Sequence, residues 1–200
     1  ERKEKLGKKY KELPPVDTTE LPELPEGWAW VRLGEICEFE YGKGLREDKR
    51  DSNGNIPVYG SNGIVGYHSS YLVNSPCLIV GRKGAAGQVH FSRGSCWPID
   101  TTYFILPPKK IEILFLYYLL TSLKLDKLDK STAIPGLNRN DAYNLIFPLP
   151  PLAEQHKIVE EIERRFSVAD EVEKAINNSL KQAERLRQSI LKKAFEGKLV

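Results

Sequence analysis

Apolar residues change their spacing along this chain, and the changes divide it into parts. From Ile56 to Leu106 they gather in short runs: Ile56–Tyr59, Ile64–His68, Cys77–Val80, Gln88–Phe91 and Thr102–Leu106, separated by Gly, Asn and Ser. Runs of that length with that punctuation predict a compact sheet with tight turns. The longest apolar stretch, Ile111 to Leu123, predicts a buried core helix even though it carries Glu112. Asn144 to Pro150 predicts one more extended segment, closed by Pro148, Pro150 and Pro151.

From Pro151 onward the spacing becomes helical. Ile158, Ile162, Phe166, Ala169, Val172, Ile176, Leu180, Ala183, Leu186, Ile190 and Ala194 follow at steps of three or four, with a mean of 3.6. That is one apolar stripe along one helix. No proline interrupts it, and its only glycine, Gly197, stands where a helix would stop. A helix from Leu152 to Phe195 is about 65 Å long at ~1.5 Å per residue, longer than a small domain is wide. Much of the stripe must therefore be covered by something outside the chain's own globule, as in a coiled coil.

Charge refines this picture. Pro151 to Ala175 holds seven acidic and four basic residues, whereas Ile176 to Val200 holds six basic and two acidic. Acid early and base late complements the helix dipole. The same polarity favours pairing with an antiparallel copy, because unlike ends then meet.

At the other end, Glu1 to Pro25 is charged and broken by Leu13-Pro14-Pro15, Leu21-Pro22 and Leu24-Pro25. Such a segment cannot close a core, and it reads as a linker or a frayed helix end. The expected organisation is a linker at 1–25, an α+β domain at 26–150 and a long helix at 151–200. A length of 200 residues suits one domain with an extension. The chain starts at Glu1 and has no methionine, so it is expected to be a fragment of something longer.

The net charge of +3 is too small to argue for nucleic acid. Its distribution says more. Lys43, Arg46, Lys49, Arg50, Arg82, Lys83, Arg93 and Lys109 stand against Glu47, Asp48, Asp51 and Asp100, in a stretch rich in Gly, Asn, Ser and Tyr. Cys37, Cys77 and Cys96 are widely spaced with no C-x-x-C pair, which argues against zinc and for free thiols in a reducing, cytoplasmic setting. No signal peptide and no apolar run of about 18 residues are present, so no membrane span is expected.

Two glycine-rich loops resemble each other: Gly60-Ser61-Asn62-Gly63-Ile64-Val65-Gly66-Tyr67-His68 and Gly81-Arg82-Lys83-Gly84-Ala85-Ala86-Gly87-Gln88-Val89-His90. Glycines let backbone approach a ligand, and Ser61, Asn62, Arg82 and Lys83 can bind phosphates or base edges. Two hairpin turns with solvated tips would look the same. Tyr41-Gly42-Lys43-Gly44-Leu45-Arg46, with Lys49 and Arg50 beyond, is either a phosphate-contacting loop or a solvated charged one. The Walker pattern, the dinucleotide fingerprint, G-x-S-x-G and the adenine-methyltransferase motif are absent. His68, His90 and His156 have no metal-ligand spacing, and Asp100 beside Thr101-Thr102 reads as a hydrogen-bonded turn.

Four stretches together resemble the specificity subunits of type I restriction–modification systems. They are Leu24-Pro25-Glu26-Gly27-Trp28 through Glu35, the two glycine-rich portions with Trp97-Pro98 through Tyr103, the hinge Pro148-Leu149-Pro150-Pro151-Leu152-Ala153-Glu154-Gln155 through Val159, and the ending Ser189 through Leu199. The hinge is the most specific. The resemblance covers residues 24 to 200. Family members usually carry two recognition domains and two long helices, and this chain carries one set. It therefore resembles either the C-terminal half of a subunit or a half-subunit that forms a homodimer.

The resemblance implies a non-catalytic protein whose domain reads half of a split double-stranded DNA site. The long helix would act as a ruler, pairing through Ile158, Ile162, Phe166, Ala169, Val172, Ile176, Leu180, Ala183, Leu186 and Ile190. It implies methyltransferase and restriction subunits as partners, which would hold S-adenosylmethionine, ATP and Mg²⁺, with no cofactor on this chain. Glycine-loop placement then nominates Lys43, Arg46, Ser61, Asn62, Arg82, Lys83, Thr101 and Arg139 for DNA contact. Two other classes compete: a self-contained methyltransferase or nuclease fragment, and a coiled-coil assembly protein that does not bind DNA.

Overall fold

The computed structural model describes residues 15–51, 53–128 and 136–199 and divides into two units, Glu1–His156 and Lys157–Val200. In the first unit, the beginning and the end of the domain lie side by side. Strand β1 (Ala29–Arg32) pairs antiparallel with β9 (Ile146–Leu149). Trp28 Nε1 donates to Glu154 Oε2 at 2.6 Å across the same junction. Gln155, 2% exposed, donates through Nε2 to Pro150 O and accepts the Glu112 N–H on Oε1, at 3.0 and 2.9 Å. A buried amide needs such partners, so the Glu-Gln of the hinge closes the domain.

Between these strands lie two further sheets. Strands β2 (Glu40–Tyr41), β8 (Thr102–Ile105), β5 (Cys77–Gly81) and β6 (Val89–Ser92) form a four-stranded antiparallel sheet in that order. Strand β3 (Ile56–Gly60) sits between β4 (Gly63–His68), antiparallel, and β7 (Trp97–Pro98), parallel. Every residue of β5 and β8 is buried. A strand covered on both faces needs apolar residues throughout, and Cys77-Leu78-Ile79-Val80 supplies them.

Short helix α1 (Leu33–Ile36) follows β1, and α2 (Ile113–Ser122) packs on β5 and β6, burying Phe115, Leu116 and Leu120. The one carboxylate of that apolar stretch has a structural job. Glu112 is the N-cap of α2, accepting from the Phe115 N–H at 2.5 Å. Helix α3 (Arg139–Tyr143) is capped by the Asn138 side chain.

The fold is α+β, with every predicted run present to within two residues at each end. β1, β2, β7, α1 and α3 were not expected. The expected linker has no helix or strand over residues 15–25, and its first 14 residues lie outside the described ones. All three cysteines are buried, and the Sγ atoms of Cys77 and Cys96 lie 3.4 Å apart. Their hydrogen bond, together with burial, pushes the Cys77 thiol well above the ordinary thiol range. Among the described residues, no helix is long and apolar enough to cross a membrane.

The second unit continues α4 (Leu152–Phe195), a helix of 44 residues with the predicted bounds. Its stripe residues Phe166, Val172, Ile176, Leu180, Leu186 and Ile190 are 45–63% exposed, and Ala169 and Ala183 are also exposed.

Gly81 ends β5 where the backbone is crowded: a Cβ there would stand 2.0 Å from Ala85 O. Gly81→Ala is expected to destabilise the domain by about 1–3 kcal/mol, read as a lower urea midpoint. Gly94→Ala, where an added Cβ meets nothing within 4 Å, should stay within about 0.5 kcal/mol of the parent.

Candidate functional site

Three turns converge on one carbonyl. The tip of the β3–β4 hairpin is Ser61-Asn62, the loop from β5 to β6 carries Arg82 and Lys83, and Ile99–Thr101 joins β7 to β8. Thr101 O accepts the Ser61 hydroxyl at 2.6 Å, the Arg82 N–H at 2.9 Å and the Lys83 N–H at 3.1 Å. A carbonyl oxygen can hold several donors, and here it fixes both glycine-rich loops to the third turn. Ser61 is 8% exposed, so it positions the tip and leaves Asn62 as the exposed side chain there. Thr101 contributes its main chain. Lys83 is exposed.

The 136–139 segment joins the same loop. Lys83 and Gly136 form an antiparallel bridge, and the Leu137 N–H donates to Arg82 O at 2.9 Å. This carries Arg139 to Tyr41. The Arg82 and Arg139 guanidinium carbons lie 5.5 and 5.0 Å from the centroid of the Tyr41 ring. Two like charges are held near one another by the ring face and by main-chain acceptors. Arg82 donates through Nε and Nη2 to Asp100 O at 3.1 and 2.6 Å, and Arg139 through Nη1 to Phe39 O at 3.3 Å. Tyr41 itself is 53% exposed and leans on Tyr103, whose phenol burial pushes above the ordinary range.

Lys43 is tied to the segment leading into the third turn. Its N–H donates to Pro98 O at 3.0 Å and its carbonyl accepts Trp97 Nε1 at 2.9 Å, with the side chain exposed. Arg46 is exposed and pairs with Asp48 at 3.0 Å. The structure thus gathers Ser61, Asn62, Arg82, Lys83, Thr101 and Arg139 around one hub, places Lys43 at its margin and points Arg46 at an acid. Tyr41 was missed as an organiser. Its only sequence signal is an aromatic beside Gly42-Lys43-Gly44, and although Arg139 was nominated, nothing local announces its meeting with Tyr41. Among the described residues, no group of three or more His, Cys, Asp or Glu side chains could hold a metal ion.

Residues 25–182 match the type I restriction modification DNA specificity domain family. The chain is 28% identical to the type I restriction enzyme EcoDI specificity subunit of Escherichia coli, over 90% of its own length and 44% of that subunit. Over a shorter stretch, 35% of this chain and 15% of the relative, it is 47% identical to the Escherichia coli EcoBI specificity subunit. Among solved structures it is similar to the HsdS subunit from Thermoanaerobacter tengcongensis, with a TM-score of 0.67, 25% identity and coverage of 90% of this chain and 48% of that one. A chain from a structure of the type I R-M system gives a TM-score of 0.77 at 26% identity, covering 90% of this chain and 49% of that one. The chain belongs to the type I restriction–modification DNA specificity family. It spans less than half the length of the EcoDI subunit.

Removing the Ser61 hydroxyl takes one donor from the hub. Ser61→Ala is expected to cost about 1 kcal/mol in urea unfolding. Thr101→Ala, which keeps the carbonyl, should lose less.

Proposed function

We propose that this chain is a DNA-reading module that recognises one half of a bipartite double-stranded site. Residues 26–150 are the recognition domain, and 151–200 form a spacer that fixes the distance to a second reader. The observation that carries this reading is the convergence of exposed Asn62 and Lys83 with Arg82 and Arg139 on turns fastened to Thr101 O. A rigid cluster of cations beside an exposed amide offers phosphate anchors and a base-edge reader together. Lys43 adds a further phosphate anchor. Ser61 and Thr101 support the tip, and Arg46 plays a lesser part because Asp48 neutralises it.

The exposed stripe of α4 supports a paired helix, supplied by a second copy or by the other half of a longer subunit. The acid-to-base polarity favours the antiparallel arrangement. In this reading the chain is cytoplasmic and has no catalytic role. Chemistry belongs to methyltransferase and restriction subunits, which bind S-adenosylmethionine, ATP and Mg²⁺.

Selection of bound duplexes from a randomised pool is expected to enrich one short motif, and failure to enrich any sequence would overturn the reading. Arg82→Ala and Lys83→Ala should each weaken binding and lower the slope of log affinity against log salt by about 0.9 for each phosphate no longer neutralised. An unchanged slope in both variants removes that loop from the interface. Light scattering is expected to show α4-dependent association, and a monomer with the stripe sheltered would sink the spacer.

A further inference from the structure

The β3–β4 hairpin is not a regular ladder. Val58 faces Gly66 and Tyr59 faces Ile64, so Val65 is an extra residue in β4. Such a bulge bends its strand and re-aims side chains, and bulges gather beside functional sites. Here it leaves two consecutive apolar residues in solvent: Ile64 is 50% and Val65 41% exposed.

The bulge is built rather than loose. Arg50, half-buried, donates through Nη1 to Val65 O at 2.8 Å, and its Nε and Nη2 reach Leu45 O at 3.4 and 3.3 Å. Gly60 provides the room, since a Cβ there would come within 2.9 Å of Val65 Cγ1. Gly66, at φ +149°, passes beneath the Arg50 side chain. The backbone that carries both apolar side chains is therefore held in place just past Asn62, on a tip anchored to Thr101 O.

We propose that Ile64 and Val65 are specificity residues that read thymine 5-methyl groups in the major groove, beside a base edge contacted by Asn62. This rests on the DNA-reading function above. A two-stranded ribbon fits the major groove, and the thymine methyl is the apolar group that the bases present there. Polar readers such as Asn62 gain nothing from a methyl, whereas a half-exposed aliphatic side chain gains by covering it. The Arg50 guanidinium at the bulge adds positive charge that suits a phosphate-lined groove and opposes an apolar protein partner. A protein seated on the tip would also occlude the Arg82–Lys83 loop.

The test uses the full chain and the motif it enriches, with each thymine replaced in turn by deoxyuridine, which keeps pairing and deletes the methyl. At one or two positions the replacement is expected to weaken binding about fourfold, as for burying one methyl-sized group. Ile64→Ala or Val65→Ala should weaken binding to the thymine duplex by a similar factor and abolish the deoxyuridine penalty at its own position. The remaining penalties and the salt slope should stay as in the parent. Both side chains are half-exposed, so the variants should keep the parent's circular dichroism and urea midpoint. The proposal is overturned if no thymine position responds, if the motif has no thymine, or if both variants keep the full penalty. A chain that enriches no motif overturns the DNA-reading function as well, which separates the two failures.

Discussion

The structure depends on holding the start and end of the domain together. β1 against β9, with Trp28 bonded to Glu154, joins residues that are far apart in sequence. Everything between them is one closed excursion, and α4 begins from a point whose backbone is fastened by Gln155. Pro148, Pro150 and Pro151 suit this place. A two-stranded sheet leaves N–H groups unused on its outer edges, where a missing donor is tolerated.

Within that closed excursion, chemistry is arranged by main-chain acceptors. Thr101 O, Asp100 O and Phe39 O hold the loops and the two arginines that meet Tyr41. Guanidinium groups fixed by neutral carbonyls keep their full charge, whereas a carboxylate partner would cancel it. Arg46 shows the contrast, because Asp48 answers its charge on the surface. A glycine-rich stretch looks loose in sequence, but these loops are closed on both sides by hydrogen bonds.

Which elements were legible follows from where their information lies. α4 was readable to its full bounds because a 3.6 period over 44 residues is a one-dimensional signal. β5 and β8 were readable because burial on both faces writes an apolar run. β2 and β7 have two residues each and exist because of the strands they pair with, so no local pattern reveals them. The site divides the same way. Cations beside glycines pointed to the Arg82–Lys83 loop, whereas the meeting of Tyr41 with Arg139 depends on the 136–137 backbone pairing with 82–83. Ser61 was legible as a polar residue at a tip, but a hydroxyl can face ligand or framework, and only its 8% exposure decides.

Because the hub is a peptide oxygen, it survives any replacement of the threonine side chain, and two of its three donors are peptide N–H groups as well. The scaffold beneath the tips is thus largely indifferent to which side chains crown them. Point changes at Asn62 or Lys83 would alter what is touched without unfastening the loops. Under the proposed reading, such a main-chain hub would let the recognised sequence drift through single changes at the tips while the fastening beneath them stays in place.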